Sequence, residues 1–325
     1  MPKSSTGTGT TADFPQSPGA RSSAPGTPYR GRFAPSPTGP LHLGSLLAAA
    51  GSWLDARAAG GQWLVRIEDL DPPREPPGAA DEILRALEAF SLEWDGEVLF
   101  QSRRLELYEA TLAELVTAGW AYPCICTRKS IEAANQRRGR PGERIYPGTC
   151  RPPAPAAARK TRVLRARTTP ERIVIPDRLQ GPFAQTLEED VGDFVLRRRE
   201  GYIAYQLAVV IDDSLQHVTD VVRGIDLLDS TPRQAWLQRL LDYVTPSYMH
   251  LPVITEPGGE KLSKQTGATP VGLRRPGETA WRILDLLRQA PPPELRGGAP
   301  AEIWAWGAAN WRPQQLAGTR SIPAP

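Results

Sequence analysis

The sequence predicts an α/β protein in which a doubly wound parallel sheet is interrupted by an inserted segment. Strand-like and helix-like stretches alternate from residue 30 to about residue 121, and a region with three cysteines and many arginines follows. The chain has 325 residues, 40% of them hydrophobic and 23% charged, which is enough for a sizeable core. Because no apolar run approaches the roughly 20 residues that cross a bilayer, we expect no membrane association.

The first half of the sheet is predicted from two short apolar strands and three stretches with apolar residues at helical spacing. Gly60 and Gly61 end the first helix. In chain order the elements are the strand GRFAP, the helix LGSLLAAAGSWLDARAAGG, the strand QWLVRIED and the helices GAADEILRALEAF and RRLELYEATLAELVTAGW. A strand–helix–strand–helix order is typical of a parallel sheet.

The second half repeats this pattern less regularly. The strands are RIVIPD, DFVLRRR and HVTDVVRG, and the helices are STPRQAWLQRLLDYV and GETAWRILDLLRQA. The run YQLAVVIDDS is compatible with a strand and with a buried helix, because its periodicity does not separate the two.

Composition divides the chain into five predicted segments. The N-terminal residues are rich in Ser, Thr, Gly and Pro and bury too little apolar surface to fold, so we expect disorder there. The segments are a disordered tail at 1–29, the first half of the core at 30–121, an insertion at 122–168, the second half at 169–290 and a C-terminal tail at 291–325.

The stretch APSPTGPLHLGS, residues 34–45, lies between the first strand and the first helix. Open parallel sheets bind ligands in this crevice, and a helix N-terminus offers N–H groups to a phosphate. His42 can donate a hydrogen bond to a phosphate oxygen, and Gly44 lets a ligand approach the backbone closely. A lone histidine in a turn is also common as a structural residue, and no P-loop motif is present.

A second stretch, GGEKLSKQTG at 258–267, places Lys261 and Lys264 in a glycine-rich loop after an apolar strand. Two lysines in such a loop suit the charge of a polyphosphate in its transition state. The alternative is an exposed basic turn.

The predicted insertion is basic and contains all three cysteines. From Arg137 to Arg172 its only acidic residues are Glu143 and Glu171, a pattern that fits phosphate contacts or a solvated charged face. Three clustered cysteines do not form a disulfide framework, so we expect a reducing, cytoplasmic location. Cys124, Cys126 and Cys150 supply three ligands of a tetrahedral zinc site, with Tyr146 as the candidate fourth; the alternative is three structural thiols.

The two motifs together resemble the HIGH and KMSKS signatures of class I aminoacyl-tRNA synthetases, here HLGS and KLSKQ. The stretches RFAPSPTGPLHLGS, RIEDLDPPRE, AYQLAVVIDD, VVRG and KLSK are similar to the glutamyl group of these enzymes and cover about residues 30 to 290. The resemblance implies a Rossmann-type catalytic core. Ser45, Leu262 and Gln265 depart from the signatures, whereas Lys264 is intact.

Free glutamate has two carboxylates and one ammonium, so two arginines and one carboxylate should meet it. The resemblance implies that residues at the ends of the strands bind it: Arg32, Phe33, Ala34, Pro35, Ser36, Glu68, Tyr205 and Arg223. A buried ion pair is the alternative role for Glu68, and Asp69 and Asp71 are possible supports. The resemblance also implies that ATP, with Mg²⁺, contacts His42, Gly44, Lys261 and Lys264, and that His42 and Lys264 are catalytic.

The cysteine pattern C-x-C…Y-x-x-x-C resembles a shortened family, the glutamyl-queuosine tRNA(Asp) synthetases, and this resemblance implies that the insertion at 122–168 bears zinc and contacts the acceptor. Residues 266–325 are too few for an anticodon-binding domain, which fits that family. The resemblance implies one Zn²⁺ per chain, activation of L-glutamate by ATP without tRNA, and transfer to queuosine in tRNA(Asp), with no obligate protein partner. A truncated glutamyl-tRNA synthetase that charges a tRNA 3′ end and a non-catalytic zinc-containing RNA-binding protein remain as alternatives.

Overall fold

The structure is a computed structural model that describes residues 21–22, 26–151, 163–256, 260 and 269–324. Its helices are α1 Leu43–Ala58, α2 Ala79–Ala89, α3 Leu105–Thr117, α4 Arg128–Arg137, α5 Leu187–Asp190, α6 Tyr205–Leu215, α7 Thr231–Leu240, α8 Pro276–Leu286 and α9 Pro300–Ala309. Its strands are β1 Arg21–Ser22, β2 Arg30–Phe33, β3 Gln62–Ile67, β4 Leu99–Phe100, β5 Ala121–Cys124, β6 Val163–Ala166, β7 Arg172–Asp177, β8 Gly181–Thr186, β9 Val195–Arg197, β10 Asp220–Gly224, β11 Val244–Thr245, β12 Ser247–Leu251, β13 Val253–Thr255 and β14 Ser321–Pro323.

The central sheet is parallel and wound in two directions, as the alternating pattern predicts. β2, β3 and β4 pair in parallel on one side, and β10, β12 and β7 pair in parallel on the other. The two sides meet where Thr219 N–H donates to Arg30 O at 2.9 Å. The strand order reverses between β2 and β10, which is where such sheets bind ligands. β8 pairs antiparallel with β7, so the sheet is mixed at this edge.

The run YQLAVVIDDS forms α6. Its five central residues, Leu207 to Ile211, are all buried, so the helix is covered by the core on several faces. A helix that is buried all round has no amphipathic stripe, which explains why its periodicity does not distinguish it from a strand.

Both predicted tails contribute to the fold where they are described. α9 packs in the core through the fully buried Trp304, whose Nε1 donates to Phe90 O at 2.6 Å, and β14 pairs with β13. The expectation of a C-terminal tail at 291–325 is therefore wrong, because its Trp and Ile side chains bury apolar surface. In the segment 1–29, β1 pairs with β11 and Tyr29 donates to Asp55 Oδ2 at 2.6 Å, so order begins before residue 30; residues 1–20 and 23–25 lie outside the described residues.

The insertion is a small antiparallel sheet, β5–β6–β9, with α4 against it. It continues past residue 168, because β9 completes the sheet. Buried Asp193 ties it to the core: it accepts hydrogen bonds from Tyr122 and from Thr168, whose backbone N–H lies 2.8 Å away, and pairs with Arg151 at 2.6 Å. Among the residues described, no helix is both long and apolar enough to cross a bilayer.

Candidate active site and metal centre

Four side chains predicted to bind glutamate meet at the point where the strand order reverses. Arg32 comes from β2, Arg223 from β10, Glu68 follows β3, and Tyr205 begins α6. Arg223 Nη1 donates to Tyr205 Oη at 3.1 Å. Burial raises the pKa of Tyr205, and the charges of Arg223, Glu68 and Arg32 all act on it, so these side chains form one site.

Arg32 is held in place by residues that the motif analysis missed. Its Nε donates to Asp213 Oδ1 at 3.2 Å, and the fully buried Arg66 pairs with the same oxygen at 2.8 Å. Asp213 thus engages the Nε of Arg32 and holds this side chain next to Arg66. The sequence signal for Arg66 and Asp213 is that each is a charged residue within an apolar run, QWLVRIED and YQLAVVIDDS.

Glu68 is almost fully buried and pairs with Arg66 at 3.3 Å, and its backbone N–H donates to Pro35 O at 3.0 Å. The alternative role as a buried ion pair is thus also realised. Burial raises the pKa of Glu68 to about 7, against the opposing effect of Arg66 and Arg32. Its carboxylate is therefore poised to ionise when a cation, such as the ammonium of an amino acid, is brought next to it.

Arg223 is oriented by a second buried chain of hydrogen bonds. Its Nε donates to His250 Nε2 at 3.1 Å, and His250 Nδ1 lies 2.6 Å from Asp177 Oδ2. Burial lowers the pKa of His250, so the ring is neutral, with its proton on Nδ1 and its Nε2 as acceptor. Arg223 Nη2 also donates to Thr231 Oγ1 at 2.9 Å. His250 and Asp177 were not among the predicted site residues; a histidine in the apolar strand YMHLPVI was the only signal.

The remaining predicted glutamate residues line the turn after β2. Ala34 and Pro35 are half-buried and Ser36 is exposed, whereas Phe33 is buried and stacks on Trp63 with ring centroids 6.2 Å apart. The side chain of Phe33 is thus a core residue, and only its backbone borders the site.

The acidic residues after Glu68 support the surrounding loop. Asp69 accepts hydrogen bonds from the Ser102 backbone N–H and hydroxyl, at 2.8 and 2.6 Å. Asp71 pairs with Arg74 and Arg198, which lowers the pKa of Asp71 despite partial burial.

His42 is the N-cap of α1. Its Nδ1 accepts from Ser45 N–H at 3.3 Å, and its backbone N–H donates to Ser45 Oγ at 3.2 Å. With Nδ1 as acceptor, a neutral ring carries its proton on Nε2, which is therefore a donor. Ser45 thus completes a cap, and Gly44 lies in the first helical turn, where backbone N–H groups have no intrahelical partner.

Lys261 and Lys264 lie outside the described residues. The described chain resumes beside the first motif: Pro270 forms a bridge with His42, and Val271 N–H donates to Leu41 O at 2.9 Å. The chain that follows these lysines therefore lies next to His42.

The cysteine cluster has the spacing of a tetrahedral site. Cys124, Cys126 and Cys150 have sulfur atoms within 4.8 Å of one another, with 3.6 Å between Cys126 and Cys150. Tyr146 Oη lies 3.3 Å from Cys124 Sγ and 3.9 Å from Cys126 Sγ. Zinc–sulfur bonds of about 2.3 Å place tetrahedral ligand atoms about 3.8 Å apart, so these four residues fit a zinc ion.

Tyr146 is fixed on both sides. Arg165 stacks over its ring at 4.0 Å, and Gly192, with φ of +72°, packs against the backbone of Tyr146. A Cβ at Gly192 would lie 2.3 Å from Tyr146 O, so only glycine permits this close approach.

Several arginines of the predicted basic stretch have internal partners. Arg151 pairs with Asp193 and Glu188, each at 2.6 Å, and Arg165 donates to Asp193 O at 2.7 Å. Arg159, Lys160 and Arg162 lie outside the described residues. The described part of this stretch is therefore in good part a structural network rather than a free basic surface.

Comparison with known proteins agrees with this geometry. Residues 29–276 match the family model "tRNA synthetases class I (E and Q), catalytic domain". The chain is 55% identical over 285 residues to a glutamyl-Q tRNA(Asp) synthetase of Dechloromonas aromatica, covering 88% of this chain and 94% of that protein. It is 54% identical over 296 residues to one from Chromobacterium violaceum, covering 91% and 98%.

A solved structure, described as a glutamate tRNA ligase from Elizabethkingia meningosepticum in complex with its amino acid, superposes with a TM-score of 0.74 at 25% identity. The alignment covers 90% of this chain and 66% of that one, so the chain spans just under two thirds of the solved protein. The chain is a ligase and belongs to the glutamyl-Q tRNA(Asp) synthetase family of class I aminoacyl-tRNA synthetases.

Proposed function

We propose that this chain activates L-glutamate with ATP, without tRNA, and transfers the glutamyl group to queuosine in the anticodon of tRNA(Asp). The observation that carries the first step is the cluster of Arg32, Glu68 and Arg223, whose charges all act on Tyr205. Two guanidinium groups match the two carboxylates of glutamate, and the carboxylate of Glu68 matches its ammonium. The names of the relatives support tRNA(Asp) as the acceptor.

The reaction proceeds in two displacements. An oxygen of the glutamate α-carboxylate attacks the α-phosphorus of ATP in line, and pyrophosphate leaves. A hydroxyl of the acceptor then attacks the carbonyl of glutamyl-adenylate, and AMP leaves as the ester forms. Positioning and charge stabilisation dominate both steps, so no protein nucleophile is needed.

Different residues act on the phosphates of ATP and on the amino acid. The Nε2–H of His42 and the N–H groups around Gly44 meet the phosphates, and Lys264 and Lys261, with Mg²⁺, neutralise the charge on the departing pyrophosphate. Arg66 and Asp213 hold Arg32, while His250 and Asp177 hold Arg223, so the amino acid meets a rigid pocket.

One Zn²⁺ would be held by Cys124, Cys126, Tyr146 and Cys150, and a closed four-ligand site of this kind supplies a structural crosslink. It would organise the insertion rather than the chemistry.

Transfer of labelled glutamate to tRNA from cells with and without queuosine tests the proposal. Label should appear only on queuosine-containing tRNA, and exchange of pyrophosphate into ATP should require glutamate but no tRNA. Lys264→Ala should lower this exchange at least about 10²-fold in a folded protein, because one charge contact to the transition state is lost.

The second candidate is esterification of a tRNA 3′ end, which the likeness to a glutamate tRNA ligase favours. Equal labelling of tRNA(Glu) that lacks queuosine would establish it in place of the first. Periodate oxidation of the tRNA 3′ diol is a way to block this second reaction. It needs a control, because periodate attacks the queuosine diol as well as the 3′ diol.

A further inference from the structure

Asp212 is a fully buried carboxylate on α6, next to Asp213 in the chain. Its Oδ2 accepts hydrogen bonds from Gln101 Nε2 at 2.8 Å and from Tyr108 Oη at 2.6 Å, and its Oδ1 accepts from Arg104 Nε at 2.8 Å. Burial and the charge of Asp212 raise the pKa of Tyr108, so the phenol keeps its proton and donates. All three donors come from α3 and the short turn before it, which therefore fix this carboxylate.

The guanidinium of Arg66 lies beside Asp212, and no hydrogen bond joins them. Arg66 Nε is 4.0 Å from Asp212 Oδ2, and this buried nitrogen has no acceptor within the described part of the chain. A carboxylate oxygen accepts about two hydrogen bonds through its lone pairs, and Gln101 and Tyr108 already supply two to Oδ2. These two neutral donors therefore take the place that Arg66 Nε would otherwise use.

The other two nitrogens of Arg66 hold the amino acid pocket. Arg66 Nη2 lies 2.8 Å from Asp213 Oδ1 and 3.3 Å from Glu68 Oε1, and Nη1 donates to Gln216 Oε1 at 2.8 Å. A rotation of the guanidinium that brought Nε onto Asp212 would move Nη2 relative to both carboxylates. The contact between Arg66 and Glu68 therefore depends on what occupies Asp212 Oδ2.

The ionisation of Glu68 is set by groups on three elements. Burial raises its pKa, Arg66 on β3 and Arg32 on β2 lower it, and Asp213 on α6 raises it. Tyr205, at the start of α6, is within reach of the charge of Glu68. Arg66 is the first of the groups that favour the carboxylate form, so a weaker contact with Arg66 leaves Glu68 protonated to a higher pH.

We propose that Tyr108 and Gln101 are positioning residues for the amino acid pocket: by filling Asp212 Oδ2 they keep Arg66 turned towards Glu68, the carboxylate that meets the ammonium of the substrate. This rests on the proposed function, since it requires an amino acid at Glu68. Loss of either donor frees a lone pair of Oδ2 for Arg66 Nε, and Arg66 then shares more of its charge with Asp212. An ammonium should then bind to Glu68 only at a higher pH.

The first test needs no substrate. The free energy of unfolding in urea is measured from about pH 5 to about pH 9 for the wild type and for Glu68→Gln, and the difference between them is lost as the pH rises through the pKa of Glu68 in the folded protein. The same pair is measured in a Tyr108→Phe and in a Gln101→Leu background. Each background should move this pH up by about half a unit. Tyr243→Phe, which removes a hydroxyl from a tyrosine packed against the same hydrophobic cluster, is the matched control and should leave it unchanged.

The second readout is the KM for glutamate in pyrophosphate exchange. In Tyr108→Phe and in Gln101→Leu it should rise about threefold near pH 6 and approach the wild-type value near pH 9, because Glu68 is ionised in every protein at high pH. A KM raised equally at every pH would indicate a general loss of packing and would overturn the positioning role.

The outcomes separate this inference from the proposed function. An unchanged ionisation pH of Glu68 in both backgrounds overturns the role of Tyr108 and Gln101, even when wild-type protein exchanges pyrophosphate in the presence of glutamate. A raised ionisation pH in both backgrounds supports their control of Glu68 through Arg66, even when no exchange occurs and the proposed function is wrong.

Discussion

The proposed glutamate pocket, formed by Arg32, Glu68, Tyr205 and Arg223, and the insertion that contains the three cysteines stabilise their polar groups in different ways. In the pocket every buried charge has a partner from the chain itself: Arg66 lies between Glu68 and Asp213, and Arg223 is held by His250. In the insertion three thiols and a phenol converge, and only a small cluster of buried residues surrounds them. A core this small gains stability from a crosslink, and the proposed zinc ion would supply one.

The two regions also differ in how their arginines are used. Arg32 and Arg223 are buried and fixed, which suits the proposed selectivity for a particular arrangement of carboxylates. Arg128 and Arg199, at the insertion, are exposed, so any phosphate contact that they make will depend on salt. Amino acid selection and RNA binding are therefore expected to respond independently to substitution.

The largest effect should come from Arg223. Arg223→Gln should lower kcat/KM for glutamate in pyrophosphate exchange by about 10³-fold, because loss of a buried charge contact costs several kcal/mol. The KM for ATP should stay within about threefold. Arg199→Gln is the matched control and should leave pyrophosphate exchange unchanged. A similar loss of kcat/KM for glutamate in both variants would contradict the difference between the two regions.

A smaller effect is expected at His250, which acts as a positioning residue for Arg223. His250→Phe should raise the KM for glutamate about 10- to 10²-fold with little change for ATP, because Arg223 Nε loses its acceptor. His250→Gln, which offers an amide oxygen, should restore part of the affinity. If both variants only lower thermal stability and leave the KM for glutamate unchanged, the positioning role is wrong.

The affinity for glutamate should depend on pH through Glu68. The raised pKa of about 7 means that the folded protein favours the neutral acid form of Glu68. The stability that neutral Glu68 contributes is therefore fully present below pH 4.5, the ordinary pKa of the group, and is lost as the pH rises through 7. Binding of an ammonium favours the carboxylate instead. The KM for glutamate should therefore fall about tenfold between roughly pH 6 and pH 8. Glu68→Gln should remove this dependence, and a profile that is identical in wild type and variant would contradict it.

The smallest effect on amino acid activation should come from the metal site. Cys126→Ser should reduce zinc content and weaken transfer to tRNA, while exchange stays within about threefold. Tyr146→Phe should weaken zinc binding less than Cys126→Ser, because three thiolates remain. Metal analysis of protein prepared without chelators checks this, and less than half a zinc per wild-type chain would count against the site.

The sequence predicts the residues expected to contact glutamate better than it predicts the residues that hold them in place. Residues in short motifs, such as Arg32, Glu68, Tyr205 and Arg223, lie close together, and their binding of glutamate stays a prediction. The residues that hold them, Arg66, Asp213, His250 and Asp177, are far apart in sequence and were not predicted, because their partners are set by strand register.

Elements were predicted well where their apolar period is clear and poorly where burial is complete or composition is unusual. α1 and β3 follow the predicted bounds closely, whereas α6 was ambiguous because its faces are equally apolar. The Pro and Trp content of the C-terminal segment predicts a tail, yet Trp304 and Leu316 are fully buried. The conformation of such segments is set by tertiary packing and not by their local sequence.

Mass spectrometry of nucleosides from tRNA(Asp) after reaction with glutamate and ATP tests the central claim most directly. If the pocket activates glutamate and the insertion delivers an anticodon nucleoside to it, the added glutamyl mass will be found on queuosine and not on the 3′-terminal adenosine. Glutamate on the terminal adenosine, with queuosine unchanged, would contradict the account.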